Sequence, residues 1–156
     1  MKATVITASN RAAAGVYEDT GGPVIVEALT ELGFEVTGPV VVPDGRPVAD
    51  AIRDALDAGA RAVLTTGGTG LTPTDLTPEM TRPFLDREVP GIAEAIRAYG
   101  AGKGIPTAAL SRGLAGISGR ALVVNLPGST GGVKDGLAVV VPLLLHAVQQ
   151  IVGSDH

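Results

Sequence analysis

The stretch from Leu64 to Glu79, LTTGGTGLTPTDLTPE, restricts the possible folds of this chain more than any other. It begins at the end of the apolar run 61–66, which reads as a buried strand. It then empties into Gly67-Gly68-Thr69-Gly70, where almost no side-chain bulk stands between backbone and ligand. A strand that ends this way turns backbone N–H groups outward at the carboxyl edge of a sheet, where α/β proteins bind anions. Asp75 comes next in the loop, and Thr77-Pro78-Glu79 reads as a helix start with Thr77 as N-cap. One carboxylate is thus left between a glycine corner and a helix.

The segments around this stretch predict its setting. Residues 2–8 form a β-branched run that leads into Ser9-Asn10-Arg11, and a helix is predicted from Thr20 to its stop at Gly33. A second strand over 34–42, interrupted by Gly38-Pro39, ends at Pro43-Asp44-Gly45, and an amphipathic helix comes after it over 47–58. This β-α-β-α-β order, with crossovers long enough for helices, predicts parallel strands under the right-handed rule. Beyond it, short helices are predicted over 77–87 and 92–99, separated by Pro90-Gly91. Residues 110–117 and 120–126 read as a hairpin. A helical region then runs to Val152, with Pro142 either kinking it or beginning a new helix. No linker or repeat divides the 156 residues, so one domain over 1–156 is expected.

Several functions are disfavoured by composition. Cysteine is absent, which removes disulfides, thiolate catalysis and cysteine-bound metal. A net charge of -4 opposes a nucleic-acid footprint, which needs a basic face. The apolar run 137–145 is too short to span a bilayer, and residues 1–4 carry no export pattern, so a cytoplasmic protein without a membrane partner is expected. Ser9, Ser111 and Ser129 lack a base that would make any of them a nucleophile, since the two histidines are His146 on an apolar helix and terminal His156.

What remains is a site for phosphates. Asn125-Leu126-Pro127-Gly128-Ser129 repeats the strand-to-glycine logic of the first corner, and two such corners on one edge suit a ligand with separated phosphates. No Walker loop or G-x-G-x-x-G is present; Lys103 in Gly102-Lys103-Gly104 lacks both the upstream glycine and the hydroxyl. Asp44 and Asp75 each sit in a loop after a predicted strand. Such residues are commonly turn formers, but two facing one cleft would hold Mg²⁺ together with phosphate oxygens. Arg11, Arg82, Arg87 and Arg112 are the cations expected to meet an anion, and Arg112 is the best placed, on a strand near the second glycine turn.

The runs Thr65–Gly70 and Asp75–Glu79 resemble the signature of the molybdopterin-binding adenylyltransferase family of molybdenum cofactor biosynthesis. So do Ser9-Asn10-Arg11, Gly15-Val16-Tyr17, Pro43-Asp44, Asp86–Gly91, Leu110-Ser111-Arg112 and Asn125–Ser129, in the family's order over nearly the whole chain. The resemblance implies a three-layer α/β/α sandwich with a mostly parallel sheet carrying one antiparallel hairpin strand. It also implies a homotrimer or a hexamer made of two trimers. The implied reaction transfers AMP from ATP to the molybdopterin phosphate with Mg²⁺, releasing pyrophosphate. Asp44 and Asp75 match the carboxylates on which activity depends and become the expected catalytic and metal-binding pair. Ser9, Gly67, Gly68, Thr69, Gly70, Glu79, Ser111, Arg112, Asn125, Pro127, Gly128 and Ser129 become expected substrate-binding residues. Thr74, Asn10 and Thr130 depart from the pattern, where a basic residue, an aspartate and a proline are common. A carrier that only binds the pterin is the alternative that this resemblance leaves open, and a nucleotide hydrolase is a more distant one.

Overall fold

A computed structural model describes residues 1–153. His156 lies outside the described residues. The elements are β1 (Lys2–Ala8), α1 (Asn10–Ala13), α2 (Gly21–Glu31), β2 (Glu35–Val42), α3 (Arg46–Asp57), β3 (Ala62–Thr66), α4 (Thr77–Thr81), β4 (Arg87–Glu88), α5 (Pro90–Gly102), β5 (Ala115–Ser118), β6 (Ala121–Leu126) and α6 (Thr130–Ile151). Single 3-10 turns occupy Arg82–Phe84 and Pro106–Leu110.

Six strands form one mixed sheet in the order β2-β1-β3-β6-β5-β4. The first four are parallel, and β5 runs antiparallel to both of its neighbours. The period of two sorts the strand residues onto two faces. Val5, Leu64, Leu122 and Val124 join Ile25 and Leu29 of α2, Ile96 of α5 and Val133, Val140 and Leu144 of α6. Ile6, Val63 and Val123 turn the other way, onto Val48, Ala51, Ile52 and Ala55 of α3. Those four α3 residues have i, i+3, i+4, i+7 spacing, so one stripe of the helix is fully used. The result is the three-layer α/β/α sandwich, with the carboxyl ends of β1, β2, β3 and β6 on one edge.

Several local expectations are corrected. The segment after residue 81 is not helical through 87: it tightens into a 3-10 turn and then yields β4, two residues paired with Gly116 and Ile117. Pro90 does not break a helix but opens α5, where a missing N–H costs nothing. Residues 110–114 lie outside the hairpin, whose first strand begins at Ala115. The Gly38-Pro39 interruption of β2 is a bulge, across which the register to β1 shifts between Thr4 and Ile6. Pro142 neither ends nor restarts α6, which is one helix of 22 residues. Pro142 and Ala138, whose carbonyl loses its helical partner, both lie on the exposed side, where water can take that bond.

By length and apolar composition α6 could cross a membrane. Its Val133, Leu137, Val140, Leu144 and Val148 are instead packed against the sheet and its neighbours, as in the core helix of a layered fold. His146 is exposed on this helix.

Candidate active site

The parallel strands deliver their loops to one edge, and hydrogen bonds between those loops fix the site. After β1, the Ser9 side chain caps α1 by accepting from the Ala12 N–H at 3.1 Å, and it shares a 2.9 Å hydrogen bond with the Tyr17 hydroxyl. Asn10 Oδ1 accepts from the Asp44 N–H at 2.9 Å, which ties the β1 exit to the β2 exit. After β3, Gly67 and Gly68 adopt φ of 89° and 67°, the left-handed region that a side chain would strain. Space excludes a side chain as well: a Cβ on Gly67 would strike the Ala8 carbonyl, and one on Gly68 would strike Thr77 Oγ1.

The two glycine corners touch. A Cβ on Gly128 would stand 3.1 Å from the Gly67 Cα, and Thr66 Oγ1 donates to the Pro127 carbonyl at 2.7 Å. Their junction separates two pockets. One, of about 420 Å³, is polar and lined by Ser9, Arg11, Asp19, Asp44, Gly67 and Thr74, among others. The other, of about 320 Å³, is lined mainly by aliphatic groups such as Ile96, Ile105, Ala108 and Leu110, together with Thr69, Gly70, Ser111, Pro127, Ser129 and Asp135. Gly68, Asp75 and Gly128 line both.

The structure therefore brings Asp44 and Asp75 into one pocket. Asp44 Oδ1 is buried without a hydrogen-bond partner, as is Thr77 Oγ1 on the same side of Gly68. Burial raises the Asp44 pKa above the ordinary carboxylate value, the Asp75 charge raises it further, and hydrogen bonding from the Asn10 backbone N–H to the carboxylate opposes both. Asp75 Oδ2 accepts from the Thr72 N–H at 3.1 Å. The polar pocket thus holds Asp19, Asp44 and Asp75 against one lining cation, Arg11. Such a pocket favours a polyphosphate that brings a cation with it. Among the described residues no group of three or more His, Cys, Asp or Glu forms a protein-only metal cage. Two carboxylates and an unpartnered oxygen fit Mg²⁺, which keeps waters and takes the rest of its ligands from substrate phosphates.

Three expected ligand residues are engaged by partners within the chain. Arg112 is absent from the lining of both pockets, because its guanidinium is spent as a brace: Nε donates to the Gly70 carbonyl at 2.8 Å, Nη2 to the Asp75 carbonyl at 2.6 Å, and Nη1 to Glu79 Oε2 at 2.7 Å. Glu79 is the other half of that brace, and the hydrogen bond from Arg112 holds its carboxyl below the ordinary glutamate value. Asn125 is buried in β6, donating to Thr65 Oγ1 and Thr81 Oγ1 and accepting from the Leu114 N–H. All three shape the cleft from behind. Thr77 is also corrected: Leu76 occupies the N-cap position, with no side-chain cap, and the Thr77 hydroxyl points at the Gly68 corner instead.

Beyond the second corner, Ser129 caps α6 by accepting from the Gly132 N–H at 3.0 Å. The positive end of a long helix dipole therefore opens beside Gly128, where an anion is favoured.

Residues 4–146 match the family model described as "probable molybdopterin binding domain". The chain belongs to this family. It is 50% identical to the molybdopterin biosynthesis Mog protein of Mycobacterium ulcerans, whose solved structure superposes with a TM-score of 0.92 over 96% of this chain and 98% of that one. It is 37% identical to the molybdopterin adenylyltransferase of Helicobacter pylori strain J99, with 96% of this chain aligned to 87% of that protein. It is 40% identical to the molybdenum cofactor biosynthesis bifunctional protein of Synechococcus elongatus, over 99% of this chain and 48% of that protein. The chain thus spans about half the length of the bifunctional relatives it matches.

Proposed function

We propose that this chain is a molybdopterin adenylyltransferase that uses ATP and Mg²⁺ and acts in molybdenum cofactor biosynthesis. The observation that carries the reading is the shared wall of the two pockets: Gly68, Asp75 and Gly128 face both, so two substrates bound on either side would meet there. The name of the H. pylori relative supports the same chemistry. In this reading the polar pocket takes the triphosphate and the aliphatic pocket takes the pterin. A phosphate oxygen of molybdopterin attacks the α-phosphorus of ATP, the bond from that phosphorus to the bridging oxygen breaks, and pyrophosphate leaves with the electron pair.

Positioning and charge neutralisation carry such a transfer, with no protein nucleophile. Asp44 and Asp75 would hold Mg²⁺, which neutralises the triphosphate charge that these carboxylates would otherwise repel. Backbone N–H groups of the corners and the α6 N-terminus stabilise phosphate oxygens where the pockets join. The Arg112–Glu79 brace keeps the Asp75 loop in register with Gly70. The test supplies ATP, Mg²⁺ and molybdopterin and monitors adenylyl-molybdopterin and pyrophosphate. Asp75→Asn should lose turnover by about a hundredfold or more while pterin affinity and melting temperature stay close to the parent. Full turnover in that variant rejects the assignment, and pterin binding without any adenylate from the parent chain identifies a carrier instead. We extend the family resemblance to a cytoplasmic homotrimer or a dimer of trimers; light scattering of the purified protein tests the assembly.

A further inference from the structure

The aliphatic pocket contains one group that packing does not call for. Asp135 of α6 lines it with its side chain 8% exposed, among Ile96, Gly100, Ile105 and Leu110. Burying a carboxylate costs several kcal/mol unless its oxygens are paired and hydrogen-bonded. Here Oδ1 accepts from Lys103 Nζ at 2.8 Å, and the second oxygen carries no hydrogen bond from the described residues. Lys103 itself is 55% exposed and sits on the glycine-flanked turn after α5. Its ammonium is also 5.6 Å from the Tyr99 ring centroid, which offers it a second station. The pocket thus has a nearly buried acceptor with one oxygen unpaired, and the cation on its other oxygen is exposed beside the pocket.

We propose that Asp135 reads the 2-amino-4-oxo edge of the pterin, its carboxylate accepting from the ring N3–H and the 2-amino group. This rests on the reading above that molybdopterin is a substrate. An ionised carboxylate only accepts, so it matches an edge with two adjacent donors. Adenine presents one amino donor beside a ring-nitrogen lone pair, and that lone pair repels the carboxylate. The pocket therefore discriminates between the two substrates of one reaction and keeps ATP out of the pterin side. Guanine shares the pterin edge and should compete for the pocket, whereas adenosine should not.

The test titrates the intact protein with 6-hydroxymethylpterin, read by the pterin's fluorescence, and compares 6-hydroxymethyllumazine, which carries oxygen in place of the 2-amino group. On the parent chain the lumazine should bind roughly tenfold or more weakly, as expected when a buried acceptor is left unpaired. Guanosine should displace the pterin and adenosine should not. Asp135→Asn should lose pterin affinity by a similar factor while the affinity for ATP stays unchanged. If Asp135 served only to anchor Lys103, Lys103→Met and Asp135→Asn would lose the pterin alike, and that result overturns the proposal. Equal affinity for pterin and lumazine on the unmodified protein overturns it without any variant. If the parent chain adenylylates molybdopterin while Asp135→Asn keeps the parent KM for it, only the Asp135 assignment falls. A parent chain that neither binds the pterin nor turns over molybdopterin removes the adenylyltransferase reading along with it.

Discussion

The corners after β3 and β6 begin alike and finish differently. Each is a buried parallel strand that opens into glycine at the same edge of the sheet, and the two backbones touch through Gly67 and Gly128. After β3 the chain supplies Asp75 and a five-residue helix, with Asp44 brought in from the β2 exit. After β6 it supplies Ser129 as a cap and a helix of 22 residues. One corner is therefore short of positive charge and the other offers it. Glycine supplies close approach in both cases, and the residues just downstream of it set the chemistry.

Asp44 gives the sharpest way to break this comparison. Asp44→Asn should reduce turnover by about a hundredfold, whereas Ser129→Ala, which leaves the helix dipole in place, should retain most activity and lose only the cap, about 1 kcal/mol of stability. The pKa of Asp44 is raised, so the native state holds that proton more tightly than the unfolded chain does. Stability conferred by the protonated acid is present at low pH and falls as pH rises through the ordinary carboxylate value toward the raised one. The metal-free Asp44→Asn protein should accordingly melt higher than the parent at neutral pH. Mg²⁺-dependent ATP affinity should move the opposite way, weakening as pH is lowered into the raised range, because the cation must displace the proton. Calorimetric titrations over that range check both signs, and an affinity that is flat with pH would exclude Asp44 as a ligand.

A smaller contrast concerns the glycines themselves. Gly68→Ala places a methyl group at φ of 67° against Thr77 Oγ1, with Asp44 Oδ1 only 2.8 Å from the same point. Left-handed strain of about 1–2 kcal/mol adds to the collision, so the melting temperature should drop by several degrees. Gly131→Ala, in the first turn of α6, meets nothing within 4 Å. It should be neutral or stabilising by up to about 1 kcal/mol, since alanine favours the helix and restricts the unfolded chain. Thermal melts of the two variants separate a corner built around its glycine from one that merely contains it.

The sequence made the strand-to-glycine exits and the lone loop carboxylates readable because both are local signals. The contacts that the sequence hides are those that depend on distant partners. Arg112 meets Glu79 across 33 positions, and Asn125 reaches Thr81 and Thr65 across 44 and 60. An arginine ahead of a hairpin reads as a ligand residue by its position, and the family resemblance assigns the same role to an asparagine before a glycine corner. β4 was hidden because two residues carry no periodicity, and its edge pairing depends on β5 being antiparallel. Asp135 is hidden in the sequence because a single acid in an apolar helix looks like a solvent-facing residue until the fold turns it inward.

The Arg112–Glu79 brace gives the smallest expected effect and the finest test of the comparison. The pair is substantially exposed, with side chains at 37% and 46%, so Glu79→Gln should cost no more than about 1 kcal/mol in stability. The Glu79 pKa is depressed, so what stability it gives is present above the ordinary glutamate value and is lost as pH falls through the depressed one. Function should respond differently. Arg112 also holds the Gly70 and Asp75 carbonyls, and without Glu79 its guanidinium is free to swing. A loosened Asp75 loop should lower kcat by several-fold with little change in KM for the pterin, because the fault lies in alignment at the wall shared by the pockets. An equal loss in KM would mean that Glu79 contacts the substrate after all, and the acidic corner would then extend beyond Asp44 and Asp75.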